Sequence, residues 1–357
     1  MNQLAAEQLI MDLYENALGR RPGPKEFTNW VKKAVGELPP EKIIRAFYSS
    51  AEFKTKNSVR SIFPLGHFHS PIVDPNTVRN YVANERNKNP SQISGISFDI
   101  ERMRAIWIDN LTVIKSTPFT DYPSEQNRYC YLGGPFPYGD AITLRMMIHH
   151  YRPKRIVEIG SGYTSACMLD AAEHAGLSEL QLICVDPCTS RLRSLLRPDD
   201  LARVTMLEKN IQEVSVSIVD DLKPNDFLFI DSTHVMKTGS DVHYELFHLL
   251  PRIKMGVIVH FHDVQYPFEY PDKWIFELNN SWNETYVLRA FLMFNTDFRV
   301  SFWNSLFAKC FTESIRAECQ PFFATPARPF GSNALQLTDE NIVSLGSVVA
   351  SMFNKIR

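Results

Sequence analysis

The chain has 357 residues, 44% of them hydrophobic and 22% charged, with a formal net charge of -2. That length suits one α/β domain plus a smaller unit, and the near-neutral balance supplies no general attraction to nucleic acid. No apolar run approaches the roughly 20 residues of a membrane span. The first residues, MNQLAAEQLIMDLYENALG, carry Glu7, Asp12 and Glu15 where a signal peptide has a basic start and an apolar core. Six cysteines (Cys130, Cys167, Cys184, Cys188, Cys310, Cys319) are scattered, and no second close pair completes a zinc site beside Cys184 and Cys188. Reduced thiols and a cytoplasmic location are the expectation.

Residues 1–60 read as short helices. Leu4, Leu9, Ile10, Leu13, Ala17 and Leu18 recur at helical spacing until GRRPGP breaks the pattern at Gly19–Pro24. A second helix carries Phe27, Trp30, Val31, Ala34 and Val35 and stops at Gly36 and Pro39-Pro40. A third carries Ile43, Ile44, Ala46 and Phe47 ahead of SSAEF. The order Leu-Tyr, LGRRPGPKEFTNW, AFYSSAEF resembles a small bacterial helical domain of unknown function, often appended to proteins of surface-carbohydrate or secretion systems. The resemblance implies a docking or scaffolding module that offers a surface to a protein partner.

Residues 61–98 are rich in Pro, Asn, Ser and Gly and read as a linker. Asp99–Ser116 reads as one amphipathic helix with Ile100, Met103, Ile106, Trp107, Leu111 and Ile114 on a face. From about 120 the pattern alternates α/β, with strands expected at Arg155–Ile159, Gln181–Val185, Val204–Leu207, Phe227–Ile230 and Gly256–His260. Helices are expected at Ala141–Tyr151, Thr164–Ala175, Arg191–Leu195 and His243–Leu250, and a closing antiparallel hairpin at Arg299–Phe307 and Asn333–Leu337. The expected division is a helical accessory domain over 1–60, linker and packing helix over 61–120, an α/β domain over 121–340 and a terminal helix over 341–357.

The first of these strands carries the most informative motif, RIVEIGSGYTSACML over Arg155–Leu169. An acid and Gly-x-Gly at the end of a strand let a nucleotide-like ligand approach the backbone. A dinucleotide site wants Gly or Ala where Ser165 stands. The pattern E-x-G-x-G instead resembles the first motif of class I S-adenosylmethionine (SAM) methyltransferases. That resemblance implies a Rossmann-like seven-stranded sheet with its last pair reversed. It places Gly160, Ser161 and Gly162 against the methionine part of SAM, with Glu158 near the ammonium. Asp186, 24 residues after Gly162, is implied at the ribose hydroxyls, Asn210 and Ile211 at the adenine. PFPYGDA over Pro135–Ala141 resembles the segment that crosses the cofactor, with Tyr138 and Asp140 as contacts.

Methyl transfer is an in-line displacement on a cofactor that brings its own electrophile, so the protein positions the nucleophile and removes its proton. FLFIDSTHVMKTGSD and GVIVHFHDV end the fourth and fifth strands, beyond which ligands of open α/β sheets bind. They bring Asp231, His234, His262 and Asp263 toward one region. Matching by position, Asp231, His262 and Asp263 stand at the divalent-metal positions of catechol-type and sugar O-methyltransferases, which carry Asp-Asp or Asp-Asn where this chain has His262-Asp263. The metal-free reading makes His234 or His262 the general base, oriented by Asp231 or Asp263. His260 reads as a core residue, and His243 and His248 as structural. The aromatic stretch Val264–Asn295 suits a cover over an acceptor pocket, and its FEYP and WNE resemble a bacterial subgroup of these methyltransferases.

The expected activity is transfer of a methyl group from SAM to a hydroxyl of a small molecule or sugar, ahead of an amine. Two other readings stand beside it: a non-catalytic partner-binding protein on the same fold, and a nicotinamide-dependent oxidoreductase. Ser165 and the HFHD loop count against the latter. A nucleic-acid methyltransferase is disfavoured by the charge balance and by IDSTHV where an N/D-P-P-Y motif would stand.

Overall fold

The computed structural model describes residues 3–36, 38–56, 63–324 and 348–352, and the chain divides into two units, Met1–Val73 and Asp74–Arg357. In the first, α1 (Gln3–Asp12, continued by a wider turn over Leu13–Ala17), α2 (Pro24–Gly36), α3 (Pro40–Ser49) and α4 (Ala51–Lys56) follow the apolar spacing closely. Ala6, Ile10, Leu13, Tyr14, Leu18, Val31, Ala34, Ile43 and Phe47 bury one core of their own. Gly19 takes the left-handed conformation at φ 60° and ends α1. Arg20 then ties the segment to Glu26 at 2.9 Å and Glu52 at 2.6 Å.

The second unit begins earlier than its composition suggested. Instead of a linker, α5 (Pro75–Arg86) starts on Asp74, whose side chain accepts from Asn76 N, with Pro75 in the first turn. Its polar sequence hides it, because only Val82 is buried. The helix expected over 99–116 is broken by Asn110 into α6 (Ile100–Asp109) and α7 (Leu111–Lys115), and the Asn110 amide donates to the Ile106 carbonyl at 2.8 Å. Next comes α8 (Tyr138–Tyr151), which is buried on nearly every side, as a helix without a polar face must be.

Then β1 (Arg155–Ile159), α9 (Tyr163–His174), β2 (Gln181–Val185), α10 (Ser190–Leu195), β3 (Val204–Leu207), β4 (Phe227–Ile230), α11 (Asp241–Tyr244) and β5 (Ile258–Phe261) alternate. The closing elements are α12 (Glu284–Leu292), β6 (Phe298–Trp303), α13 (Asn304–Cys310), α14 (Thr312–Glu318) and β7 (Val348–Met352). The sheet order is β3-β2-β1-β4-β5-β7-β6. β1 to β5 are parallel, whereas β7 runs antiparallel to both β5 and β6. Central strands such as FLFI and IVHF are buried at every residue, which is why they read as continuous apolar runs.

The end of the chain corrects the expectation. A strand, β7, occupies part of the 341–357 segment read as a helix, and it supplies the partner for β6. Its pairing with distant β5 and β6 leaves no local signal. The other expected partner, Asn333–Leu337, lies outside the described residues.

Strand order reverses between β1 and β4, which opens a crevice at their carboxyl ends. Strand-like hydrogen bonding continues one residue past each strand: Gly160 N to Val185 O, Asp186 N to Leu207 O, Asp231 N to Ile159 O and His262 N to Ile230 O, all at 2.9–3.1 Å. The four residues that carry the motifs are therefore pinned in one row along that crevice.

Candidate active site

The glycine loop begins at Gly160, whose φ of 84° needs a residue without Cβ, and a Cβ there would stand 2.0 Å from the Asp231 carbonyl oxygen. Gly162, at φ 151°, similarly leaves space for the Arg191 side chain, 2.9 Å from where its Cβ would be. Ser161 donates to Asp186 Oδ2 from both its backbone N–H (2.8 Å) and its hydroxyl (2.9 Å), and Cys188 N–H donates to Oδ1 at 2.7 Å. Ser161, Asp186, Cys188, Ser190 and Arg191 line an open cleft of about 460 Å³. The loop thus joins the ends of β1 and β2 through one carboxylate.

Glu158 is placed differently from expectation. It is fully buried and faces inward, accepting from Thr164 Oγ1 and Ser165 Oγ (2.5 Å each) and from Cys184 Sγ at 3.3 Å. Burial raises its pKa to about 7, against the downward pull of those three hydrogen bonds. It braces the loop from beneath and has no exposed face to offer an ammonium. Ser165 completes the brace by accepting from Gly162 N–H at 3.0 Å. The serine that breaks the dinucleotide pattern is thus the pin of this loop.

Two further expected cofactor contacts are also turned inward. Tyr138 stacks on Tyr131 at 4.0 Å and donates to Asp121 Oδ1 at 2.8 Å. Asp140 is buried beneath the second strand-end cluster, accepting from Asn304 Nδ2 at 2.5 Å, with its other oxygen 3.7 Å from His262 Nε2. Ile211 belongs to the core, whereas Asn210 is exposed beyond β3.

At the ends of β4 and β5 the structure brings Asp231, His262 and Asp263 together, with one ligand atom from each within 4.8 Å of the others. His262 Nδ1 stands 3.2 Å from Asp231 Oδ1 and 3.5 Å from Asp263 Oδ1. His234 joins from the loop after β4, its Nε2 at 3.4 Å from Asp263 Oδ2 and 3.7 Å from Asp231 Oδ1. His234 and Asp263 both hold left-handed backbone conformations, at φ 61° and 57°, strain of a kind that concentrates at functional sites.

The electrostatics follow from burial and sign. Burial works to lower the His234 pKa, but the Glu284 hydrogen bond and charge, with Asp263 and Asp231, raise it to about 9. His262 is likewise raised well above the usual histidine range against its burial, chiefly by Asp263 and Asp231. Burial raises Asp263 to about 6, with the two histidines opposing. His260, fully buried inside β5, falls to about 3 because burial and neighbouring His262 both disfavour its charge, in line with its reading as a core residue.

Neither the role of Glu284, which bonds His234 Nδ1 at 2.8 Å, nor the position of Asp140 under His262 follows from motif spacing. Fifty residues separate His234 from Glu284, and WNE in an aromatic stretch was the one trace of the pair. The rings of the stretch pack on the cluster and on one another: Trp282 lies 4.6 Å from the His234 ring and Trp274 5.1 Å from Trp282. Helix α5 straps it down through Arg86 to Asp272 and the Tyr270 carbonyl, with Arg79 over Phe276 at 4.3 Å.

Residues 157–264 match the model of a methyltransferase domain, and residues 1–57 match a domain of unknown function, DUF4214. An uncharacterised protein of Archaeoglobus fulgidus is 31% identical over 176 residues, spanning 47% of this chain and 76% of that protein. Among solved structures, the S-adenosylhomocysteine (SAH)-bound methyltransferase PaMTH1 of Podospora anserina overlaps with a TM-score of 0.36 at 14% identity, covering 83% of this chain and 100% of that one. An O-methyltransferase of Bacillus cereus in complex with SAH overlaps with a TM-score of 0.35 at 14% identity, covering 77% and 97%. Residues 157–264 thus carry a methyltransferase domain, with a DUF4214 domain ahead of it over residues 1–57.

Proposed function

We propose that this protein transfers the methyl group of SAM to a hydroxyl of a small molecule or sugar, with the reaction centred on Asp231, His234, His262 and Asp263. The observation that carries the reading is the convergence of two histidines and two carboxylates at the carboxyl ends of β4 and β5, beside the glycine loop. The Gly160–Gly162 cradle would hold the methionine part of SAM, Asp186 the ribose hydroxyls and the segment after β3, Asn210 and Ile211, the adenine. The absence of a Cβ at Gly160 lets the loop lie against the Asp231 carbonyl, and the cleft beside Asp186 is open.

SAM brings the electrophilic methyl group. The chain's own residues orient the acceptor oxygen and take its proton, with His234 as the base in its neutral form, a fraction that grows as pH rises toward its pKa of about 9, and with Asp231 and Asp263 facing its Nε2. Asp231, His262 and Asp263 also fit a divalent cation, with two carboxylates and one imidazole converging. An imidazole donor favours Mn²⁺, Fe²⁺ or Zn²⁺ over Mg²⁺. Such an ion would polarise the acceptor hydroxyl and ease its ionisation. A sugar acceptor accords with the DUF4214 resemblance, whose helical unit would dock a protein partner. No helix among the described residues is long and apolar enough to cross a membrane, in keeping with a cytoplasmic enzyme.

Calorimetric titration with SAM and SAH, beside the Gly160→Arg variant, tests the reading. Micromolar binding by the natural chain and none by the variant is expected. Absence of binding at millimolar SAM refutes it.

A further inference from the structure

We propose that Glu284 is a positioning residue: it holds His234 from behind through Nδ1, turns Nε2 toward the reacting centre and so makes the acceptor cover and the base one mechanical unit. The inference rests on His234 being the base in the reading above. Glu284 and His234 are both buried, at 2% and 6% exposure, and Glu284 Oε2 lies 2.8 Å from His234 Nδ1. A carboxylate only accepts, so Nδ1 carries the proton in that bond and the ring is turned with Nε2 toward the reacting centre. Nε2 accordingly faces Asp263 at 3.4 Å and Asp231 at 3.7 Å. The two nitrogens of one ring are thereby given separate tasks.

The backbone supports the same arrangement. The left-handed conformation of His234 turns its carbonyl toward α12, where it accepts the N–H groups of Asn283 and Glu284, both at 3.1 Å. Those donors belong to the start of α12, where helix N–H groups have no partner within the helix. Asn283 brackets the loop as well, accepting from Met236 N–H at 2.6 Å and donating to the Met236 carbonyl at 3.2 Å. Trp282 completes the clamp with its ring 4.6 Å from the imidazole. Three successive residues of the cover therefore over-determine a strained histidine.

An acid in the first turn of a helix is ordinarily explained by the helix dipole. Glu284 does something else, since one oxygen goes to the imidazole and the other, Oε1, is buried without a hydrogen-bond partner among the described residues. The groups facing the pair are Asp231 after β4, Asp263 after β5, Glu245 beyond α11 and Tyr270 of the cover. Glu245 is fully buried, and burial, together with the charges of Glu284 and Asp241, pushes its pKa well above the usual carboxylate range.

The test uses the full chain labelled with ¹⁵N-histidine and follows imidazole N–H resonances, a signature that a purely structural carboxylate would not control. One downfield, slowly exchanging N–H resonance is expected, absent in His234→Gln. It should vanish or move upfield in Glu284→Gln and stay in Glu269→Gln, a buried acid of the same segment. Glu284→Asp keeps the charge and the fold while shortening the reach, and it should move the resonance too. With an acceptor in hand, Glu284→Gln should lower kcat about ten- to a hundredfold while leaving SAM affinity unchanged. A resonance that persists unmoved in Glu284→Gln, or in Glu284→Asp where the glutamine variant does not fold, overturns the proposal. The resonance needs no SAM, so failure of SAM binding strikes the methyltransferase reading and leaves this test intact.

Discussion

The two ends of the crevice solve opposite problems. At the glycine loop every carboxylate is spoken for within the chain: Glu158 accepts from Thr164, Ser165 and Cys184, and Asp186 from Ser161 and Cys188. At the ends of β4 and β5, two histidines share four nearby acids, and His262 Nε2 and Glu284 Oε1 are buried without hydrogen-bond partners among the described residues. A satisfied network is rigid and suits a cofactor bound in one pose. An unsatisfied one retains charge and hydrogen-bonding capacity for a reacting group, at a cost in stability.

The largest effect that would sharpen this contrast is expected at Gly160. Replacing it by Arg drives a Cβ into the Asp231 carbonyl, and calorimetry should show SAM binding lost, by about a hundredfold or more, with a stability loss of about 2–4 kcal/mol. Asp231→Asn should act at the other end alone, cutting methyl transfer about a hundredfold with SAM affinity retained. Loss of SAM affinity in that variant would break the separation of the two ends.

Glu158 tests the rigid end by pH. Its folded pKa of about 7 lies above its ordinary 4.5, so the fold binds the proton more tightly than the unfolded chain does. The associated stability is fully present below pH 4.5 and is lost as pH rises through 7, by about 3 kcal/mol. Denaturant unfolding between pH 4.5 and 8 should show that slope in the natural chain and not in Glu158→Gln. Equal slopes would remove the brace assigned to Glu158. The smallest effect is expected at Arg86→Ala, which frees the cover from α5 and should cost about 1 kcal/mol in a thermal melt.

Much of the fold follows from residue pattern alone. Short apolar runs separated by helical patterns specify a parallel sheet because a strand buried on both faces admits no polar alternation. Gly160 and Gly162 announced a tight loop after β1 because only glycine fits that backbone beside Asp231 and Arg191. Asp231, His234, His262 and Asp263 were legible because the ends of consecutive parallel strands must lie side by side. Tertiary structure decided what depends on distance along the chain. β7 is a strand because β5 and β6 flank it, and α5 is held by the aromatic stretch after β5 rather than by its own apolar face. Glu158 turns inward because Thr164, Ser165 and Cys184 converge on it from α9 and β2. Glu284 meets His234 across fifty residues, and Asp140 lies beneath His262 across more than a hundred. Local pattern reports which face of an element is buried, whereas the direction a polar side chain takes is set by partners that only the folded chain brings within reach.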